Sequence, residues 1–188
     1  MDLMLLTNEQ QKLLLKIARD SIEHGLTHGV PLPINLESYP DELQEIRATF
    51  VTLEISGQLR GCIGMLEAVQ PLVMDIAKNA FLAAFDDPRF PPVSATEFAK
   101  LEIHLSILSP AEPINFKSEE DLIRQLRPQV DGLIMQESHR RGTFLPSVWD
   151  SLPEPCQFLQ HLKLKTGLPE NYWSDTLQVR RYGCEMIR

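Results

Sequence analysis

The chain has 188 residues, 43% of them apolar and 23% charged, an ordinary globular balance with enough length to bury a core without staples. Its 26 acidic residues outweigh 18 basic ones for a formal charge of -8 and a pI near 5.1, and no basic run extends beyond Arg140 and Arg141, which disfavours nucleic-acid binding. No apolar run reaches the roughly 20 residues of a membrane span, the N-terminal MDLMLLTNEQ lacks a signal peptide's basic region, and three scattered cysteines without a C-x-x-C pair fit a reduced cytoplasm.

Thr7-Asn8-Glu9-Gln10 has the form of a capping box ahead of Leu13, Leu14, Ile17, Ala18 and Ile22, predicting a first helix that runs to about Gly25. His24 and His28 have the i, i+4 spacing of a metal pair, but with Gly25 between them and no H-E-x-x-H pattern they read as solvated side chains. The stretch 31–40 holds three prolines and reads as an extended connection. Residues 48–55 (ATFVTLEI) and 59–66 are β-rich runs joined by Ser56-Gly57-Gln58, a hairpin signal. Pro71 then opens a helix with Leu72, Val73, Ile76, Ala77, Ala80, Phe81 and Ala84 on a buried face, stopped by the prolines of DPRFPP at 87–92.

Residues 101–108 alternate as a half-buried strand should, with His104 and Ser106 on its polar side. Ser118 and Asp121 start a short helix, and 132–137 with a run near Thr143 flank His139-Arg140-Arg141-Gly142 as a second hairpin. A helix from Pro155 stops at Gly167, with Tyr172 and Trp173 beyond as a packing plug. Residues 177–187 read as one last strand with a bulge near Arg180 or Gly183. Hairpins separated by single helices predict an α+β fold with a mainly antiparallel sheet and packed helices, in one domain over 1–188.

The segment LRGCIG at 59–64 is the predicted functional centre. An extended chain sets Arg60 and Cys62 on one face, where a cation favours a thiolate, while Gly61 and Gly64 let a ligand or another backbone approach. The competing reading makes Cys62 a small core residue and the glycines a matter of sheet packing. Register decides between them. A two-residue turn puts Cys62 on the face of Val51 and Leu53, whereas a three-residue loop puts it beside Thr52 and Glu54. Turn chemistry favours the first, and matching Leu59 and Ile63 to Val51 and Leu53 favours the second. His104 or Glu54 is the candidate base for a thiol nucleophile. Asp87 with Arg89 reads as a loop-fixing pair rather than a ligand site, and His139 to Arg141 as a solvated turn rather than an anion site. No phosphate-loop, dinucleotide or nucleophile-elbow motif is present, so no cofactor and no metal are predicted.

At LRGCIG the chain resembles the AMMECR domain family, the A component of the AmmeMemoRadiSam system, whose signature this is. Further matches are DPRFPP, Leu105-Ser106-Ile107-Leu108, Gly132 in its Val-Asp-Gly-Leu setting and TFLPSVW at 143–149, in the family's order over about 47–173. The resemblance implies two unequal lobes with LRGCIG near a cleft between them, a signature-bearing body at 47–188 after an N-terminal helix and Pro-rich arm at 1–46, and no assigned chemistry. It also implies an accessory role beside a Memo-like protein and a radical SAM protein, without a cluster-binding cysteine set of its own. The residues it marks are Leu59, Arg60, Gly61, Cys62, Ile63, Gly64, Asp87, Arg89, Phe90 and Ser106, lining a site for a small molecule or peptide. Two functions compete: a binding module in which Cys62 contributes shape, and a thiol-dependent enzyme in which Arg60 lowers the pKa of Cys62. A nucleic-acid-associated regulator is the weakest alternative.

Overall fold

The structure, a computed structural model, describes residues 6–188. It is α+β, with two four-stranded antiparallel sheets, and the chain divides into two compact units. The first runs to Leu108 and takes back Glu185–Arg188, and the second is Ser109–Cys184. Among the described residues no helix is long and apolar enough to cross a membrane.

The first unit contains α1 (Asn8–His28), two 3-10 turns (Leu36–Ser38 and Asp41–Gln44), β1 (Ala48–Ile55), β2 (Gln58–Gly64), α2 (Leu72–Phe85), α3 (Ala95–Phe98), β3 (Glu102–Leu108) and all but the first residue of β8 (Cys184–Ile187). The predicted capping box forms, with the Gln10 backbone N–H donating to Thr7 Oγ1 and the Gln10 side chain accepting from the Thr7 N–H. The helix nevertheless passes the expected stop at Gly25 and ends at Gly29, whose φ of 69° suits a left-handed cap. Gly25 is buried inside α1 because a Cβ there would lie 2.4 Å from the Phe85 ring. Tight packing of α1 on α2, rather than termination, explains that glycine. The 31–40 connection likewise winds into a 3-10 turn at Leu36–Ser38.

The sheet order is β2-β1-β3-β8, leaving β2 at an edge. Val51 and Leu53 of β1 and Ile103, Leu105 and Ile107 of β3 share one core with Leu72, Val73, Ile76, Ala80 and Ala83 of α2. Period-two alternation then turns Thr52, Glu54, Glu102, His104 and Ser106 to the opposite face. Asp75 and Asn79 of α2 are buried as well. Asp75 accepts from the Thr49 N–H at 3.0 Å, the Thr49 hydroxyl at 2.6 Å, Asn79 at 2.9 Å and Gln70 at 2.8 Å, which satisfies its carboxylate and ties α2 to β1.

The second unit has β4 (Glu112–Pro113), α4 (Glu119–Gln125), β5 (Gly132–Glu137), β6 (Arg140–Phe144), a 3-10 turn (Pro146–Asp150), α5 (Pro155–Lys165) and β7 (Gln178–Tyr182), in sheet order β4-β7-β5-β6. Trp149 stacks on Phe158 at 3.7 Å and donates from Nε1 to the Asp131 carbonyl at 2.7 Å, which joins TFLPSVW to the Val-Asp-Gly-Leu segment. The predicted last strand is two strands, one in each sheet, broken at Gly183. There the Gly183 N–H donates to Ser109 Oγ and its carbonyl accepts from the Ser109 N–H, so the apolar phase slip marks a change of sheet and not a bulge within one.

Candidate functional site

Ser56 and Gly57, at φ 52° and 73°, form a two-residue turn of the left-handed kind that matches strand twist, with Ile55 opposite Gln58. One step further Glu54 pairs with Leu59 but Leu53 pairs with Gly61, so Arg60 is an extra residue bulged out of the ladder. Both register expectations therefore hold in part. The glycine supplies the short turn, and the bulge restores the apolar match and shifts Cys62 opposite Thr52, away from the face of Leu53.

Gly61 lies on the core face, where a Cβ would come 2.1 Å from the Ala83 carbonyl oxygen, and a Cβ on Gly64 would come 2.3 Å from the Thr49 oxygen. These glycines admit protein backbone and not a ligand. Ile63 packs on the core, while Leu59 is exposed.

DPRFPP closes over the edge strand. The Asp87 side chain is 2% exposed, accepts the Cys62 N–H at 2.9 Å and is held by Arg89 through Nε at 2.9 Å and Nη2 at 2.7 Å. Arg89 Nη2 also donates to the Cys62 carbonyl at 3.2 Å. This ion pair thus occupies the outward donor and acceptor of an edge residue, where a further strand would otherwise pair. The Arg89 guanidinium, together with the N–H groups of Cys62 and Arg89 itself, keeps the Asp87 carboxyl far below the usual carboxylate range despite its burial.

Arg60 is buried and donates from Nε to Glu97 at 2.7 Å and from Nη2 to the Pro91 carbonyl at 2.8 Å. Glu97 is also the third residue of a capping box on α3, accepting from the Ser94 N–H at 2.9 Å. The Arg60 guanidinium and then the Ser94 N–H hold the Glu97 carboxyl down to about 2. The Phe90 ring lies beneath both guanidiniums, 5.8 Å from Arg60 and 5.5 Å from Arg89. Arg60 is therefore neutralised by Glu97, and the cation that braces Cys62 is Arg89, which corrects the expected Arg60–Cys62 pairing.

On the face away from α2, Cys62, Thr52 and His104 form one cross-strand row over β2, β1 and β3. Cys62 is half-buried with Sγ 3.3 Å from Thr52 Oγ1. His104 Nε2 is 3.3 Å from Glu54 Oε2, an ion-pair distance without hydrogen-bond geometry, and neither ring nitrogen has a hydrogen bond or solvent contact. Glu54, Glu102 and His104 bring one donor atom each to within 4.8 Å of one another. Ser106, one step along β3, faces Phe50 and not this group.

Thr52, Glu97 and Glu102 were not singled out from the sequence. Ser94-x-x-Glu97 is a legible capping-box signal for Glu97, whereas Thr52 and Glu102 depend on cross-strand register. His24 and His28 stack ring on ring at 4.1 Å, with His28 Nδ1 at 3.2 Å from the His24 carbonyl. In the second hairpin the turn is Ser138-His139, and Arg140 and Arg141 belong to β6. Arg141 and Arg180 line an open depression of about 580 Å³ with Phe116, Ile134, Leu177 and Val179, all within the second unit.

The AMMECR1 family model matches residues 15–187. A protein of Methanothermobacter thermautotrophicus is 39% identical over 97% of this chain and 95% of its own length, and one of Thermotoga maritima is 41% identical over 81% and 84%. The crystal structure of an uncharacterized protein from Pyrococcus horikoshii superposes with a TM-score of 0.85 at 34% identity, covering 96% of this chain and 92% of that one. The motifs clamped together at the β2 edge thus sit in a chain matched over residues 15–187, and the chain belongs to the AMMECR1 family.

Proposed function

We propose that this chain is an accessory binding protein whose LRGCIG hairpin presents a fixed polar surface to a small-molecule or peptide ligand. The observation that carries this reading is that both arginines of the region are engaged by carboxylates and aimed at backbone: Arg60 at Pro91, Arg89 at Cys62. Such an arrangement preserves a shape and leaves no unopposed cation to activate a thiol. The partners suggested by the family resemblance are a Memo-like protein and a radical SAM protein.

The test is titration calorimetry of the purified chain against each of those two proteins from the same organism. Cys62→Ser is expected to bind within about twofold of wild type, while Arg89→Ala, which releases the Cys62 carbonyl, weakens binding about tenfold, or ~1.4 kcal/mol. Loss of binding in a folded Cys62→Ser variant overturns the steric role. Absence of binding to both proteins overturns the partner assignment.

The row Cys62–Thr52–His104 favours a second reading, a thiol enzyme with His104 or Glu54 as base and Thr52 between them. The test is the pH profile of iodoacetamide alkylation of Cys62 in a Cys156→Ser/Cys184→Ser background, set against that of a free cysteine peptide. A profile displaced to lower pH would establish an activated thiolate, and one that coincides with the peptide's would overturn this second reading.

A further inference from the structure

We propose that Glu54, Glu102 and His104 form a binding site for a divalent first-row transition-metal ion of the zinc, cobalt or manganese type. This inference concerns the sheet face away from α2 and does not depend on how the LRGCIG hairpin is used.

Three observations meet at this site. First, the β1–β3 register puts Glu54 directly opposite Glu102 and Thr52 opposite His104, so three potential ligands project side by side with donor atoms within 4.8 Å of one another. Second, like charges directly opposite on neighbouring strands repel, and among the described residues neither glutamate has a lysine or arginine partner. Third, both ring nitrogens of His104 are shielded from solvent without a hydrogen bond, and Nε2 has the Glu54 carboxylate 3.3 Å away, so the ring is aimed at the carboxylate pair while its polar atoms go unsatisfied.

A doubly charged cation answers all three. It neutralises the carboxylate pair, and it takes a ring nitrogen as a ligand. An imidazole beside two carboxylates suits a borderline transition metal better than calcium or magnesium, which prefer oxygen donors alone. Bonds of about 2.0–2.2 Å place ligand atoms about 3–3.5 Å apart, a contraction that side-chain rotation of two glutamates can supply. Glu102 is exposed, which gives an ion a way in, and three protein ligands leave at least one position open for water.

The test uses the full chain, stripped with a chelator and titrated with cobalt(II), read by visible absorption and by calorimetry. One ion per chain is expected. His104→Ala should weaken binding at least about thirtyfold and Glu102→Gln about tenfold, in the range that removal of a metal-site residue produces. Cys62→Ser and a Cys156→Ser/Cys184→Ser double variant should bind as wild type does. Without metal, Glu102→Gln should melt at or above the wild-type temperature because the like-charged pair is gone, and a fixed concentration of metal should raise the midpoint of wild type and the cysteine variants more than that of Glu102→Gln. Should His104→Ala fail to fold, Glu102→Gln carries the comparison. Failure of wild type to bind, binding unchanged in both site variants, or binding lost with the cysteines overturns the proposal.

Discussion

Gly61→Ala is expected to destabilise the protein by about 3 kcal/mol, the upper end of the range for forcing atoms into a packed core. The reason is the nature of the obstacle. A Cβ at Gly61 would meet the Ala83 carbonyl oxygen at 2.1 Å and its carbon at 3.1 Å, and both are backbone atoms of α2. No side chain can rotate away, so the helix must move relative to the sheet, against the packing of Val73, Ile76 and Ala80 on Val51 and Leu53. Gly25→Ala is a useful contrast. The atoms in its way belong to the Phe81 and Phe85 rings, and alanine gains about 1 kcal/mol of helix propensity over glycine, so its cost should be smaller. Urea unfolding with an unchanged m value would measure both. An unshifted midpoint for Gly61→Ala would mean that the β2–α2 contact is not under steric control.

Asp87→Ala is expected to cost about 2–3 kcal/mol, the value of hydrogen bonds to a charged acceptor that leave a backbone donor behind. The lost partners are the Cys62 N–H, the Arg89 N–H and the Arg89 guanidinium. Arg89 is half exposed and regains water, so the ion-pair attraction itself adds little. The same site sets a pH dependence. The folded-state carboxyls of Asp87 and Glu97 lie below their ordinary values of 3.8 and 4.5, so each favours the native state fully above those values. That stabilisation is lost as pH falls toward about 2, where Glu97 takes up its proton in the folded state. The urea midpoint of wild type should therefore fall steeply between about pH 5 and pH 2, and less steeply in Asp87→Asn and Glu97→Gln. Parallel slopes in all three proteins would show that these carboxylates do not contribute.

Much of the secondary structure was legible from local chemistry. The capping box at Thr7, the hairpin at Ser56-Gly57, the start at Pro71 and the stop at Gly167 each depend on residues a few positions apart, and each element formed where those residues put it. The misreadings came where a distant residue set the outcome. Gly25 reads as a helix stop until the aromatic rings of α2 pack against it, and 177–187 reads as one strand until Ser109 binds Gly183 at the change of sheet.

For LRGCIG the division is the same. The sequence by itself determined that β2 is a strand joined by a tight glycine turn, that it carries an arginine, a cysteine and two glycines, and that Asp87 and Arg89 could pair to fix a loop, since alternation and short-range charge spacing are local properties. Tertiary structure decided what those residues do. A single bulged residue at Arg60 moves Cys62 from the core face to the polar one, because side chains alternate with period two and one inserted residue exchanges the faces. The return of α2 turns Gly61 into a contact point for backbone, and the folding back of DPRFPP and α3 assigns Arg60 to Glu97 and Arg89 to Cys62. The meeting of Glu54, Glu102 and His104 likewise exists only once β3 pairs with β1, some fifty residues apart in the chain, because register is a property of two strands and of neither alone.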